Sequence, residues 1–260
     1  MRRVCSNDPV SESRPLLTGR TTVVVVGFLA WTTAFGNIFF GGEEPQAVGF
    51  EWVKVTYDGG ITVDVAVLKP KNYSDSHNHP LILTLPWGRG TPALALGMIE
   101  AYWDIEALER GYVVVSPAIL GSSLKTEADS FLPALFSWLD ANLSYDSTKV
   151  VLAGASNGGR GVFHMLASDP FRFSAVIGIP GSYSGPVESI EPFAGRPAWL
   201  MVGELDSRWR MAAESTRLTL ETAGISTRLD VLEGQEHVLS VDQRTIMNWI
   251  DEVLEGSRRD

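Results

Sequence analysis

A chain of 260 residues with 45% apolar and 20% charged side chains has the material for one domain with a full core, which excludes wholesale disorder. Its formal net charge of −10 excludes the broad basic surface that sequence-independent nucleic-acid binding needs, so no nucleic-acid partner is expected. The single cysteine, Cys5, rules out an internal disulfide, and no histidine pair stands at metal-ligand spacing on a plausible helix, so no metal site is expected.

Residues 1–20 form a short basic segment carrying Arg2, Arg3, Arg14 and Arg20. No charge then interrupts residues 21–42, Thr21 to Gly42, and about 20 apolar residues suffice for a helix to cross a bilayer core. The arginines before this stretch and Glu43 and Glu44 after it direct the N-terminus to the cytoplasm. A hydrophobic helix is therefore expected there, as a transmembrane signal anchor or as a signal peptide. Ala34 and Gly36 supply the small residues of a cleavage site. The rest of the chain would be membrane-anchored on the noncytoplasmic side, or secreted or periplasmic after cleavage. The competing reading makes Val23 to Val26 a buried strand. Residues 43–50 read as a linker, and residues 51–256 as the catalytic domain.

In that domain strands alternate with helices, the pattern of an α/β fold with a mostly parallel central sheet flanked by helices. Glu51 to Tyr57 and Ile61 to Leu68 flank Asp58-Gly59-Gly60 and predict a hairpin. Leu81 to Leu85 predicts a strand, Met98 to Glu109 a helix and Tyr112 to Val115 a strand. Further along, a helix is predicted for Phe131 to Leu143, a strand for Val150 to Ala153, a helix for Gly158 to Ala167 and strands for Ala175 to Ile179 and Ala198 to Val202. The last elements are a helix from Arg208 to Thr222, a strand from Arg228 to Leu232 and a helix from about Val241 to Leu254.

Between a fully apolar strand and a helix stands Gly154-Ala-Ser156-Asn-Gly158-Gly159, a G-x-S-x-G sequence in the strand–turn–helix context of a nucleophile elbow. A serine hydroxyl is a poor nucleophile near neutral pH and needs a base within hydrogen-bond reach. Of the four histidines, His77 and His79 lie in a polar stretch and read as solvated loop residues, while His164 reads as a helix-face residue. His237 follows a predicted strand, at the kind of edge where open α/β sheets gather their ligands, and is the candidate base. The orienting acid belongs between serine and histidine in chain order, where Glu204 and Asp206 both qualify; Asp206 better fits a short turn after the strand. Donors for an oxyanion are expected from the Asn157 N–H and from the loop Pro86-Trp87-Gly88-Arg89-Gly90. In that loop the Arg89 N–H is the candidate and Trp87 a candidate substrate-binding side chain.

With these residues the chain resembles the α/β-hydrolase superfamily, in particular the small esterases and the catalytic domain of prolyl-oligopeptidase-type enzymes. The resemblance spans roughly Glu51 to Leu254 and rests on GASNGG at 154–159, GELD ending at Asp206, EGQEH ending at His237 and PWGRG at 86–90. Family members usually carry a histidine where this chain has Trp87. The resemblance implies hydrolysis of a small-molecule carboxylic ester through an acyl-enzyme, with a Ser156, His237 and Asp206 triad that needs no metal or organic cofactor. A peptidase or acyltransferase using the same triad is the alternative, and a noncatalytic binding module on the same scaffold a more distant one. Only fifty residues separate Ser156 from Asp206, too few for a large lid, and the glycine-bearing loop from Pro180 to Pro197 is expected to form a mobile rim.

Overall fold

The computed structural model describes residues 49–256. The basic segment, the hydrophobic helix expected over 21–42 and the strand alternative at Val23 to Val26 all lie outside the described residues. Among the described residues, no helix is long and apolar enough to cross a membrane.

Eight strands form one sheet: β1 (Gly49–Tyr57), β2 (Ile61–Lys69), β3 (His79–Leu85), β4 (Val113–Pro117), β5 (Tyr145–Gly154), β6 (Ala175–Gly178), β7 (Pro197–Gly203) and β8 (Ser226–Leu232). Their order is β1-β2-β4-β3-β5-β6-β7-β8. The β1–β2 and β2–β4 pairs are antiparallel and all pairs from β4 to β8 are parallel. Asp58 and the two glycines after it, all at positive φ, close the predicted hairpin.

Helices α1 (Pro92–Tyr102), α2 (Glu106–Glu109), α3 (Ala128–Asn142), α4 (Asn157–Ser168), α5 (Ser207–Thr222) and α6 (Gln243–Gly256) cover the sheet. Successive strand residues point to opposite faces, and the core divides accordingly. Leu81, Leu83, Val150 and Leu152 pack with α3 and α4, whereas Ile82, Val151, Ala153 and Trp199 pack with α1 and α6. Phe131, Phe136 and Phe163 are fully buried in the first cluster and contribute roughly 2–3 kcal/mol apiece.

Two local expectations are corrected. The helix predicted over 98–109 is two helices, because Thr91 caps an earlier start by accepting the Leu94 N–H at 3.4 Å. The chain then breaks after Trp103, whose indole N–H donates to Thr84 Oγ1 at 3.0 Å. The Ile105 and Glu106 N–H groups both donate to Gln243 Oε1, so a residue of α6 supplies the start of α2. The loop from Pro180 to Pro197 is a packed segment rather than a loose rim: it holds two 3-10 turns, and Tyr183, Ile190 and Phe193 are buried in the main core.

Candidate active site

Ser156 ends the run from β5 into α4 with φ 54° and ψ −110°, a conformation that costs a non-glycine residue energy and persists only where its surroundings enforce it. Three backbone bonds do so. Ala155 N–H donates to Leu85 O at 3.1 Å, Ser156 N–H to Pro180 O at 2.9 Å, and Arg160 N–H to Ser156 O at 3.1 Å. The turn also requires contact that only glycine allows, since a Cβ on Gly158 would stand 2.2 Å from Leu85 O. The serine is thereby raised at the C-terminal edge of the parallel strands.

Asp206 caps α5 immediately after β7, and His237 lies in the loop after β8. The two loops are bonded to each other: Glu204 N–H donates to Leu232 O at 2.9 Å, Leu205 N–H to Gln235 O at 2.9 Å, and Gly234 N–H to Glu204 Oε2 at 3.0 Å. At Gly203 a Cβ would meet Glu236 O at 2.1 Å, so glycine lets the histidine loop cross the end of β7. Of the two acids the sequence left open, Glu204 therefore holds the histidine loop and Asp206 reaches the ring.

His237 Nδ1 is 2.6 Å from Asp206 Oδ2, and His237 Nε2 is 2.8 Å from Ser156 Oγ. An ionised carboxylate only accepts, so Nδ1–H donates to it, and Nε2 is left to accept the serine O–H. The Asp206 side chain is 13% exposed and that of His237 41%, so the acid is enclosed while the ring borders solvent. Buried Trp209, on the first turn of α5, lies against the imidazole with ring centres 5.3 Å apart. The guanidinium of Arg160 sits over the Trp209 ring at 4.4 Å.

Asn157 opens α4, where the first N–H groups have no intrahelical acceptor. Its side chain is engaged elsewhere, donating to Ser122 O at 2.9 Å. Arg89 is exposed in a turn closed by Gly90 N–H to Trp87 O at 3.1 Å. Leu85 O, one residue before that loop, accepts from Ala155, so the loop and the start of α4 adjoin. Trp87 is half-buried and meets the Tyr102 ring edge-on at 6.5 Å.

The other histidines stand apart. His77 is exposed, and His164 is half-buried on α4. His79 is not the solvated residue the polar sequence around it predicts. It is buried at the start of β3, with Nδ1 2.9 Å from Gly111 O, Nε2 accepting the Ser74 N–H, and its ring stacked on Tyr73. Trp209 and Arg160 escaped the sequence reading, although the position of Trp209 three residues past the acid was a usable signal. Among the described residues, no three His, Cys, Asp or Glu side chains gather in a way that could hold a metal ion.

No family model matches the chain, and no curated protein sequence matches it significantly. Solved structures match over 78–82% of the chain. A thermostable esterase is similar at TM-score 0.63 and 21% identity, over 78% of this chain and 62% of its own. A ferulic acid esterase from Anaeromyces mucronatus is similar at TM-score 0.65 and 12% identity, over 82% of this chain and 93% of its own. The dipeptidyl peptidase 4 of Porphyromonas gingivalis gives TM-score 0.59 and 12% identity, over 81% of this chain and 36% of its own. The chain thus spans about three fifths of the thermostable esterase and about a third of the peptidase. The fold is the α/β-hydrolase fold.

Proposed function

We propose that this chain is a serine hydrolase that cleaves carboxylic esters of small molecules through an acyl-enzyme. The observation that carries the reading is the unbroken hydrogen-bonded run Ser156–His237–Asp206, ending on a strained serine at the strand edge. His237 Nε2 takes the hydroxyl proton as Ser156 Oγ attacks the ester carbonyl, and Asp206 holds the imidazolium that results. The oxyanion is received by the Asn157 N–H and by the loop at 86–90, with Arg89 N–H as its donor. The proton then passes to the departing alkoxide, and a water activated by His237 releases the acid. Trp87 borders the substrate from the same loop.

Support for an ester substrate comes from the two esterases among the structural neighbours, one of which this chain covers almost in full. Peptide hydrolysis is the second reading, favoured by the likeness to dipeptidyl peptidase 4. A fluorophosphonate probe with peptide mapping tests the chemistry, and matched ester and amide substrates separate the two readings. Labelling at Ser156 that Ser156→Ala removes is expected. Label at another residue, or none on folded protein, overturns the mechanism.

On the uncharged stretch 21–42 rests a second proposal, that the hydrolase works on the noncytoplasmic side of a membrane, anchored or released. Full-length protein is expected to resist carbonate extraction or to lose its N-terminus near Asn37. A soluble, unprocessed cytoplasmic protein overturns it.

A further inference from the structure

More than half of the arginines in the described region are paired with a carboxylate. Arg110, Arg172, Arg210, Arg217, Arg228 and Arg244 each hold a carboxylate. Among the described residues Arg89, Arg160, Arg196 and Arg208 have no such partner; Arg89 and Arg208 are exposed and Arg196 donates to Pro170 O, whereas Arg160 is neither far from the candidate site nor fully exposed. It is half-buried in the first turn of α4, four residues after Ser156, with its guanidinium on the face of Trp209. Trp209 in turn touches His237, so the cation is two ring contacts from the candidate base.

Stacking occupies only the flat face of a guanidinium. Its edge keeps N–H donors in a planar fork, a shape that matches the two oxygens of a carboxylate. Fixing the fork on a buried indole lowers the entropy lost when an anion binds. We propose that Arg160 anchors a carboxylate carried by the substrate, so that the preferred esters are anionic ones with the carboxylate a short spacer from the scissile bond. This rests on the ester-hydrolase reading and adds the substrate class to it.

The carboxylate could belong to the acyl part or to the alcohol part, and two matched pairs of substrates distinguish these. The first is para-nitrophenyl hydrogen glutarate against its methyl ester. The second is para-acetoxybenzoate against methyl para-acetoxybenzoate. On one pair the full-length protein should favour the charged member by about tenfold or more in kcat/KM, mostly through KM. Arg160→Gln should bring that ratio to about one. Arg160→Lys should fall between, because an ammonium keeps the charge and loses the fork. Arg217→Gln, which breaks the pair with Glu221 on α5, should keep the wild-type ratio. Because each ratio is taken within one preparation, partial unfolding of a variant cancels. A wild-type ratio near one on both pairs, or a ratio unchanged in Arg160→Gln, overturns the proposal while leaving ester hydrolysis standing. If no ester turned over and Ser156 took no label, the hydrolase reading itself would fall, and this proposal with it.

Discussion

Asp206 holds His237 with one carboxylate oxygen and keeps the other for the first turn of α5, accepting the Trp209 N–H at 3.2 Å. The two duties can be separated. Asp206→Asn retains a cap but removes the charge and lets the histidine adopt the wrong tautomer, so turnover should drop roughly ten-thousand-fold with stability nearly unchanged. Asp206→Ala should lose a similar factor and about 1 kcal/mol of stability besides. Initial rates and urea unfolding of the two variants check this, and equal stability of the pair would deny the capping role.

The histidines should sort into opposite classes. Replacing His237 by alanine should abolish ester turnover and leave the unfolding midpoint near wild type. His79→Ala should cost about 2 kcal/mol, because Gly111 O loses its partner in a buried position, yet the folded fraction should turn over normally. His77→Ala should change neither quantity. Rates normalised to the folded fraction would decide it.

Space at the elbow predicts a third contrast. Gly158→Ala drives a methyl group into the backbone of Leu85 and should cost about 3 kcal/mol or prevent folding. Gly195→Ala, at φ 81° with open space around it, should cost only about 1 kcal/mol for the left-handed backbone. Thermal melts of the two variants provide the comparison. Equal losses would mean that close approach is not what the elbow glycine supplies.

Burial pushes the His164 imidazolium pKa down from its ordinary value, and the charge of Lys125 adds to the effect. With the folded value below the unfolded one, the unfolded chain takes up the proton first. This residue's contribution is therefore fully present above about pH 6.5 and is lost as pH falls from there through the folded value. His164→Gln should flatten that part of the stability curve while leaving turnover intact. Chemical denaturation at a series of pH values measures it, and an unchanged slope would count against the assignment.

Much of the fold was legible because its signals are local. The Asp58-Gly-Gly turn, the apolar strand before GASNGG and the chain order of serine, acid and histidine all reside in short stretches. What stayed hidden depends on neighbours distant in sequence. The helix predicted over 98–109 breaks because Thr84 and Gln243 draw its middle apart, and apolar spacing cannot register either one. His79 looked solvated because its flanks are polar, whereas its burial comes from Tyr73 and Gly111. Asp206 was preferred from its turn alone, but the part Glu204 plays in holding the histidine loop depends on a bond across thirty residues, from Gly234 to Glu204. Arg160 and Trp209 meet only because α4 and α5 start at the same end of the sheet.

The backbone bonds between the β7 and β8 loops have a mechanical consequence. They make Asp206 and His237 one jaw, while Ser156, fixed to Leu85 and Pro180, belongs to the opposite jaw. At the mouth these jaws meet through side chains, Ser156 on His237 and Arg160 on Trp209, so their alignment is softer than either part. Warming should loosen that grip first, and catalytic output should fade at temperatures where both jaws are still folded.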